Sequence, residues 1–194
     1  MVVAGPNGSG KSSVIGQLDY EGRENLLDPD AIAKRINPEN LQQAAISAAR
    51  EVIQRTRQYL HERQSFAIET TLSSGRILET MRLAREGGFI GCLTYLCLDS
   101  AERNIQRVRE RVSRGGHDVP ADDVRRRYER SLANLPPALR LAHRASAYDN
   151  SEGTPRRVLE TRDGVIVWRA NDQPAWVTQV RKVVSGQIPG QNDR

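Results

Sequence analysis

The chain has 194 residues, of which 38% are apolar and 27% charged, with a formal net charge of +5 and a pI near 9.6. That length suits one domain with a sizeable core, or one domain carrying a small mobile insert, and two independent domains are not expected. No stretch reaches the ~18 consecutive apolar residues of a membrane helix, and no charged and then apolar leader is present, so a cytoplasmic protein with no membrane partner is expected.

Val2-Val3-Ala4 reads as the end of a first strand. With four residues ahead of the next motif that strand is short, and an upstream start is expected. Gly5-Pro6-Asn7-Gly8-Ser9-Gly10-Lys11-Ser12 then fits the phosphate-binding loop G-x-x-x-x-G-K-[ST] without a mismatch, and Val14, Ile15 and Leu18 follow at helical spacing. A glycine-rich turn running into a helix lets backbone N–H groups close around a phosphate at the positive helix end. Gly5 to Ser13 are therefore the expected ATP-binding residues, with Lys11 reaching the β- and γ-oxygens and Ser12 holding Mg2+.

A second strand over Asn25–Leu27 leads to Asp28-Pro29-Asp30, at the carboxyl edge where ligands bind in open α/β sheets. Asp28 reads as a helix N-cap with Pro29 in the first turn, and Asp30 is the candidate catalytic base and acceptor contact. Asn37 and Pro38 are read as the start of a long helix whose apolar stripe continues to Arg63. Glu69, Thr70 and Thr71 close a strand that begins at Ser65, and three polar groups at a strand's carboxyl end suit substrate or metal-bound water.

A helix from Ser73 or Ser74 is expected to stop at Gly87-Gly88, followed by a strand over Gly91–Leu98. Cys92 and Cys97 lie five apart in it, hence on opposite faces, as two buried thiols. Asp99 fits either a magnesium-binding acid or a cap for the next helix, with Glu102 placed for a capping box. Short strands alternating with helices predict a three-layer P-loop α/β fold, with a mostly parallel sheet of about five strands.

Twenty-six of the 29 basic residues are arginine, and nine fall between Glu102 and Ser131. They lie on two helical patterns joined by Gly115-Gly116-His117, with His117 read as a loop residue. On the first, Arg103, Arg107, Arg111 and Arg114 oppose Ile105, Val108 and Val112; on the second, Arg126, Arg127 and Arg130 oppose Val124, Tyr128 and Leu132. A hairpin of this kind over about 103–131 suits a lid that neutralises a migrating phosphoryl group. Most of its arginines should be solvated or paired; Arg107, Arg111 and Arg127 are the candidates for catalytic phosphate contact, with Arg114 and Arg130 behind them.

Asp149-Asn150-Ser151 forms a turn or lies near the nucleotide base. Residues 157–160 and 165–168 flank Arg162-Asp163-Gly164 as a C-terminal hairpin, and Trp168 and Trp176 are expected in the core. One domain over 1–184 is expected, with a frayed tail at 185–194. Only 5% of the chain is aromatic and the basic residues concentrate on the lid, so no nucleic-acid partner is expected.

Taken together, Gly5 to Ser13, Asp28-Pro29-Asp30 with Arg35 and Asn37-Pro38, Ile68-Glu69-Thr70-Thr71-Leu72, Arg107-Val108 to Arg111-Val112 with Gly115-Gly116-His117, Arg127-Tyr128, Arg130-Ser131, Asn134-Leu135 and Asp149-Asn150-Ser151 resemble the zeta toxin family of P-loop kinases. The resemblance covers roughly residues 1–151. It implies ATP-dependent phosphorylation of the 3'-hydroxyl of UDP-N-acetylglucosamine, an aspartate base matching Asp30, lid arginines on the phosphates, toxicity through trapped cell-wall precursor, and a small helical antitoxin that blocks the ATP site. Arg35, Glu69 and Thr70 are the accompanying acceptor contacts, and Glu69 joins Ser12 at the metal. The chain is shorter than the large toxins, lacks their C-terminal extension, and has Gly-Gly-His in place of a longer lid loop. A kinase of another small molecule, a nucleic-acid-stimulated ATPase and a nucleotide-binding interaction protein are the alternative readings.

Overall fold

The computed structural model describes residues 1–181, so the tail expected at 185–194 lies outside the described residues. Seven strands form one sheet in the order β2-β3-β1-β4-β5-β6-β7. They are β1 (Val2–Ala4), β2 (Leu26–Leu27), β3 (Ala67–Thr70), β4 (Cys92–Cys97), β5 (Arg144–Asp149), β6 (Arg156–Arg162) and β7 (Val165–Arg169). The first five run parallel, and β6 and β7 add an antiparallel hairpin. Val3, Ala4, Leu27, Ala67, Tyr95, Leu96 and Cys97 are fully buried, the pattern of parallel strands covered on both faces. Ala4 is in register with Thr70 on one side and Tyr95 on the other. Three strand ends therefore arrive together, and Gly5 N–H extends the ladder by donating to the Thr70 carbonyl at 3.1 Å.

The helices are α1 (Lys11–Ile15), α2 (Pro29–Ile36), α3 (Leu41–Glu62), α4 (Gly75–Glu86), α5 (Ala101–Val112), α6 (Ala121–Leu141) and α7 (Ala175–Arg181). Asp28 caps α2 with Pro29 in its first turn, Ser74 caps α4 and Ser100 caps α5. Three smaller cores flank the main one, the first built from Val3, Ile15 and Leu96 behind the phosphate loop. Ile32 and Ala33 of α2 meet Ala44 and Ala48 of α3, while Ile105 and Val108 of α5 meet Val119 of the connection and Val124 in the first turn of α6.

Four details depart from expectation. Asn37 does not begin α3: its side chain accepts from the amides of Glu39 and Asn40 beyond the end of α2, and Asn40 caps α3 by accepting from Gln43 N–H. Glu102 sits one residue too early for a capping box and pairs with Arg125 across the lid at 3.2 Å. Trp168 is 37% exposed under the Arg157 guanidinium, whereas Trp176 is buried as expected. Finally, the second lid helix does not end near Ser131. It continues through Pro136 and Pro137 into the main core, where Leu135, Ala138 and Leu139 are buried. Each proline lacks an N–H, which removes the helical donors for the Leu132 and Ala133 carbonyls.

Candidate phosphotransfer site

At the carboxyl edge of the parallel strands lies a cleft of about 990 Å³, lined by the phosphate loop, Asp28, Asp30, the Glu69–Ser73 loop and the lid. Three loop glycines adopt positive φ: +148° at Gly5, +77° at Gly8 and +97° at Gly10. A Cβ on Gly5 would lie 2.0 Å from the Leu96 carbonyl, and one on Gly10 would lie 2.4 Å from Asn150 Nδ2. Both positions accept only glycine, for steric and conformational reasons together. Gly10 occupies the N-cap position of α1 with no side chain covering the helix end, and Ser9 Oγ is buried with no hydrogen-bond partner among the described residues. Such a concave backbone nest at an uncapped helix end suits a phosphate.

Lys11 is buried, and its Nζ donates to the Pro6 carbonyl at 3.1 Å. Burial lowers its pKa, against which the carboxylates of Glu69, Asp30 and Asp28 hold the charge. Glu69 is shifted the opposite way: burial raises its pKa, opposed by Lys11 and by Ser12, whose Oγ donates to its carboxylate at 3.2 and 3.4 Å. A hydroxyl and a carboxylate sharing one corner suit a hard, oxygen-seeking cation such as Mg2+. Asp30 is exposed on the first turn of α2, its amide anchored on Asp28 Oδ1 at 2.9 Å, and its side chain faces this charge cluster.

The lid contributes Arg107, Arg111, Arg114 and Arg127 to the cleft lining. Arg107 donates to the carbonyls of Asn150 and Ser151, Arg111 to that of His117, and Arg127 to Asn7 Oδ1. All these acceptors are neutral, which leaves the guanidinium charges available to an anion. By contrast, Arg103, Arg125 and Arg126 form ion pairs with Asp99, Glu102 or Asp122, and Asp123 respectively. Arg130 lies outside the lining, and so does Asp99, which is held by Arg103 and Ser100 as a helix-end residue. Arg35 also points elsewhere: it pairs with Glu51 on α3 and does not line the cleft. Thr70 does line it, although its Oγ1 is engaged in accepting the Leu72 amide at 3.1 Å.

Three buried or half-buried asparagines make long-range bonds that the sequence does not announce. Asn150 Nδ2 donates to the Ser9 carbonyl at 2.9 Å, Asn104 Nδ2 to the Asn7 carbonyl, and Asn134 Nδ2 to the Leu72 carbonyl at 2.8 Å. Asn150 thus braces the phosphate loop from behind, and no short-range pattern announces that bond across 141 residues. A second cavity, about 620 Å³ and mainly apolar, opens at the opposite edge of the sheet around Phe66, Met81 and Phe89 and has no such cradle. Among the described residues no cluster of three or more His, Cys, Asp or Glu is arranged to hold a metal, and no helix is long and apolar enough to cross a membrane.

Comparison with known proteins agrees with this fold. An uncharacterized protein of Haemophilus influenzae is 36% identical over 124 residues, spanning 64% of this chain and 88% of that one. The structure of AvrRxo1-ORF1 with ORF2 and ATP superposes with a TM-score of 0.66 at 13% identity, covering all of this chain and 66% of that one. A structure from the PezAT chromosomal toxin–antitoxin system of Streptococcus pneumoniae superposes with a TM-score of 0.61 at 14% identity, covering 96% and 77%. At such identities the likeness is one of fold. The AAA domain family model matches residues 1–138, which include the phosphate loop and strands β1 to β4, and the chain belongs to the AAA domain family and has a P-loop kinase-like fold.

Proposed function

We propose that the protein is an ATP-dependent small-molecule kinase that transfers the γ-phosphate to a hydroxyl group, with UDP-N-acetylglucosamine as the first acceptor to try. The observation that carries this reading is the convergence, in one cleft, of an uncapped phosphate cradle, the carboxylates of Asp28, Asp30 and Glu69 beside Lys11, and four arginines with no ion pair among the described residues. A pure nucleotide-binding module has no need of acids opposite the lysine, whereas phosphoryl transfer to an alcohol needs a proton acceptor beside the phosphate.

Gly5 to Ser13 would hold the triphosphate, and Ser12 with Glu69 would hold Mg2+. Bound Mg-ATP supplies the phosphoryl group and part of the neutralising charge. Asp30 accepts the proton of the attacking hydroxyl. Lys11, Arg107, Arg111 and Arg127 balance negative charge on the phosphoryl oxygens, while Glu69, Thr70 and Thr71 orient the acceptor. The lid excludes water, which otherwise competes as acceptor. The toxin–antitoxin system among the structural neighbours supports a small antitoxin as partner of this chain.

The test is incubation with Mg-ATP and a panel of UDP-sugars, nucleosides and antibiotics, reading the gain of one phosphate by mass. Asp30→Asn should lower turnover at least about a hundredfold and change ATP affinity less than about twofold. Equal losses in both, or ATP hydrolysis with no phosphorylated product, refute the reading.

A further inference from the structure

The loop between β3 and α4 carries Glu69, Thr70, Thr71 and Ser73 into the cleft, yet its backbone is strained. Leu72 adopts φ +58°, a left-handed conformation that a branched side chain rarely occupies, while its side chain is fully buried in the main core. Such a conformation persists only where its surroundings over-determine it. Here three hydrogen bonds do so. Leu72 N–H donates to Thr70 Oγ1 at 3.1 Å, the hydroxyls of Thr71 and Ser73 pair at 2.8 Å, and Asn134 donates to the Leu72 carbonyl at 2.8 Å. The first two lie within the loop. Of the three, only the Asn134 bond ties Leu72 itself to another element; the phosphate loop and α1 meet the segment earlier, at Thr70 and Glu69.

That element is α6, and Asn134 is not alone on its face. Arg127, Ser131 and Asn134 recur at i, i+4 and i+7, one stripe of the helix. Arg127 reaches Asn7 of the phosphate loop at 3.2 Å, Ser131 is fully buried and hydrogen-bonded to the Tyr95 hydroxyl at 3.0 Å, and Asn134 reaches the β3–α4 loop. A single rigid helix therefore grips the donor loop at one point and the acceptor-side loop two turns later. The bar is fixed at its far end, because α6 continues into the main core beyond Pro137.

We propose that Asn134 is a positioning residue: through the Leu72 carbonyl it holds the Glu69–Ser73 loop in its strained conformation and, with Arg127, sets the two halves of the cleft at a fixed spacing. Asn134 does not line the cleft, so it acts through the loop and not on a ligand. The inference rests on the kinase reading only in treating that loop as the acceptor side.

The experiment compares wild type with Asn134→Ala and with the isosteric Asn134→Asp, which cannot donate to a carbonyl. Amide hydrogen exchange over residues 69–74 should speed up about tenfold in both variants, the loss of one neutral hydrogen bond. Exchange in β4 and the affinity for a fluorescent ATP analogue should stay within about twofold. Unchanged loop exchange, or acceleration spread evenly through the sheet, overturns the proposal. If wild type phosphorylates UDP-N-acetylglucosamine, both variants should raise KM for that acceptor at least fivefold while leaving KM for ATP unchanged, and an equal rise in both overturns it. Should wild type leave that acceptor untouched, the choice of acceptor fails while the exchange measurement still decides the role of Asn134.

Discussion

Asn150→Ala removes a non-titrating donor that borders the cleft and holds the Ser9 carbonyl, and so tests how far the phosphate cradle depends on that bond. In the native protein the Ser9 carbonyl is turned inward onto Asn150 Nδ2 at 2.9 Å, and Asn150 itself is held by its amide on the Cys97 carbonyl and by Arg107 on its own carbonyl. Both Asn150 and Ser9 are buried, so water does not replace the lost donor without a change in the loop. Leaving a buried acceptor unpaired costs about 1–3 kcal/mol. Taking the middle of that range, about 2 kcal/mol, the inward conformation loses about thirtyfold in population, and a ligand that binds only that conformation loses the same factor in affinity. Even if the whole cost fell on global stability, the melting temperature of a domain this size would drop by only about 4–8 °C. Titration with a fluorescent ATP analogue at a temperature well below melting reads the effect directly. Asn25→Ala is the control: it removes an equivalent bond, Asn25 Nδ2 to the Ser65 carbonyl at 2.9 Å, outside the cleft, and should lower the melting temperature without touching affinity. Nucleotide affinity within twofold of wild type in Asn150→Ala would show that the cradle is stable without its brace.

Two further outcomes follow from the same geometry. Gly8→Ala places a Cβ 2.8 Å from the Asn104 carbonyl in a left-handed conformation, which costs about 1–2 kcal/mol for the backbone alone, so calorimetry should find ATP binding weakened at least tenfold; wild-type affinity would mean that α5 does not pack against the loop. Because burial raises the Glu69 pKa, the folded chain takes up this proton at higher pH than the unfolded one. Its contribution to stability is therefore full below the ordinary carboxylate value near 4.5 and is lost as pH rises through the folded value. Glu69→Gln should flatten the fall of melting temperature with rising pH in that window, and identical slopes in both proteins would refute the assignment.

How much of this was legible in the sequence depended on the range of the forces involved. The phosphate loop was readable because its requirements are local: glycine is the residue that tolerates positive φ with no room for a Cβ, so geometry imprints directly on residue type. The lid arginines were readable in part. Helical spacing separated Arg107, Arg111 and Arg127 from the apolar stripe, but spacing does not show that Arg103 and Arg126 are neutralised by neighbouring acids. Asn37 and Asn40 were confused because both sit where a cap is needed, one closing a helix and the other opening the next. The double proline of α6 obscured the lid boundary: it costs local hydrogen bonds, and the burial of Leu135, Ala138 and Leu139 overrides that cost. Asn134 and Asn150 stood out only as parts of a family pattern, with no bond assigned to either, and Asn104 left no signal at all. Each acts on a backbone carbonyl more than 60 residues away, and a carbonyl has no sequence identity to match.

The Tyr95 hydroxyl that meets Ser131 belongs to a ring packed edge-on against the buried indole of Trp176, at 5.8 Å between centroids. Four residues before Ser131 on the same helix, Arg127 grips Asn7. A run of contacts thus leads from the phosphate loop along α6 to an indole whose N–H has no partner among the described residues. With Trp168 replaced by phenylalanine, Trp176 emission is expected to shift when nucleotide fills the cradle, and an unchanged spectrum at saturation would show that this chain of contacts does not carry occupancy.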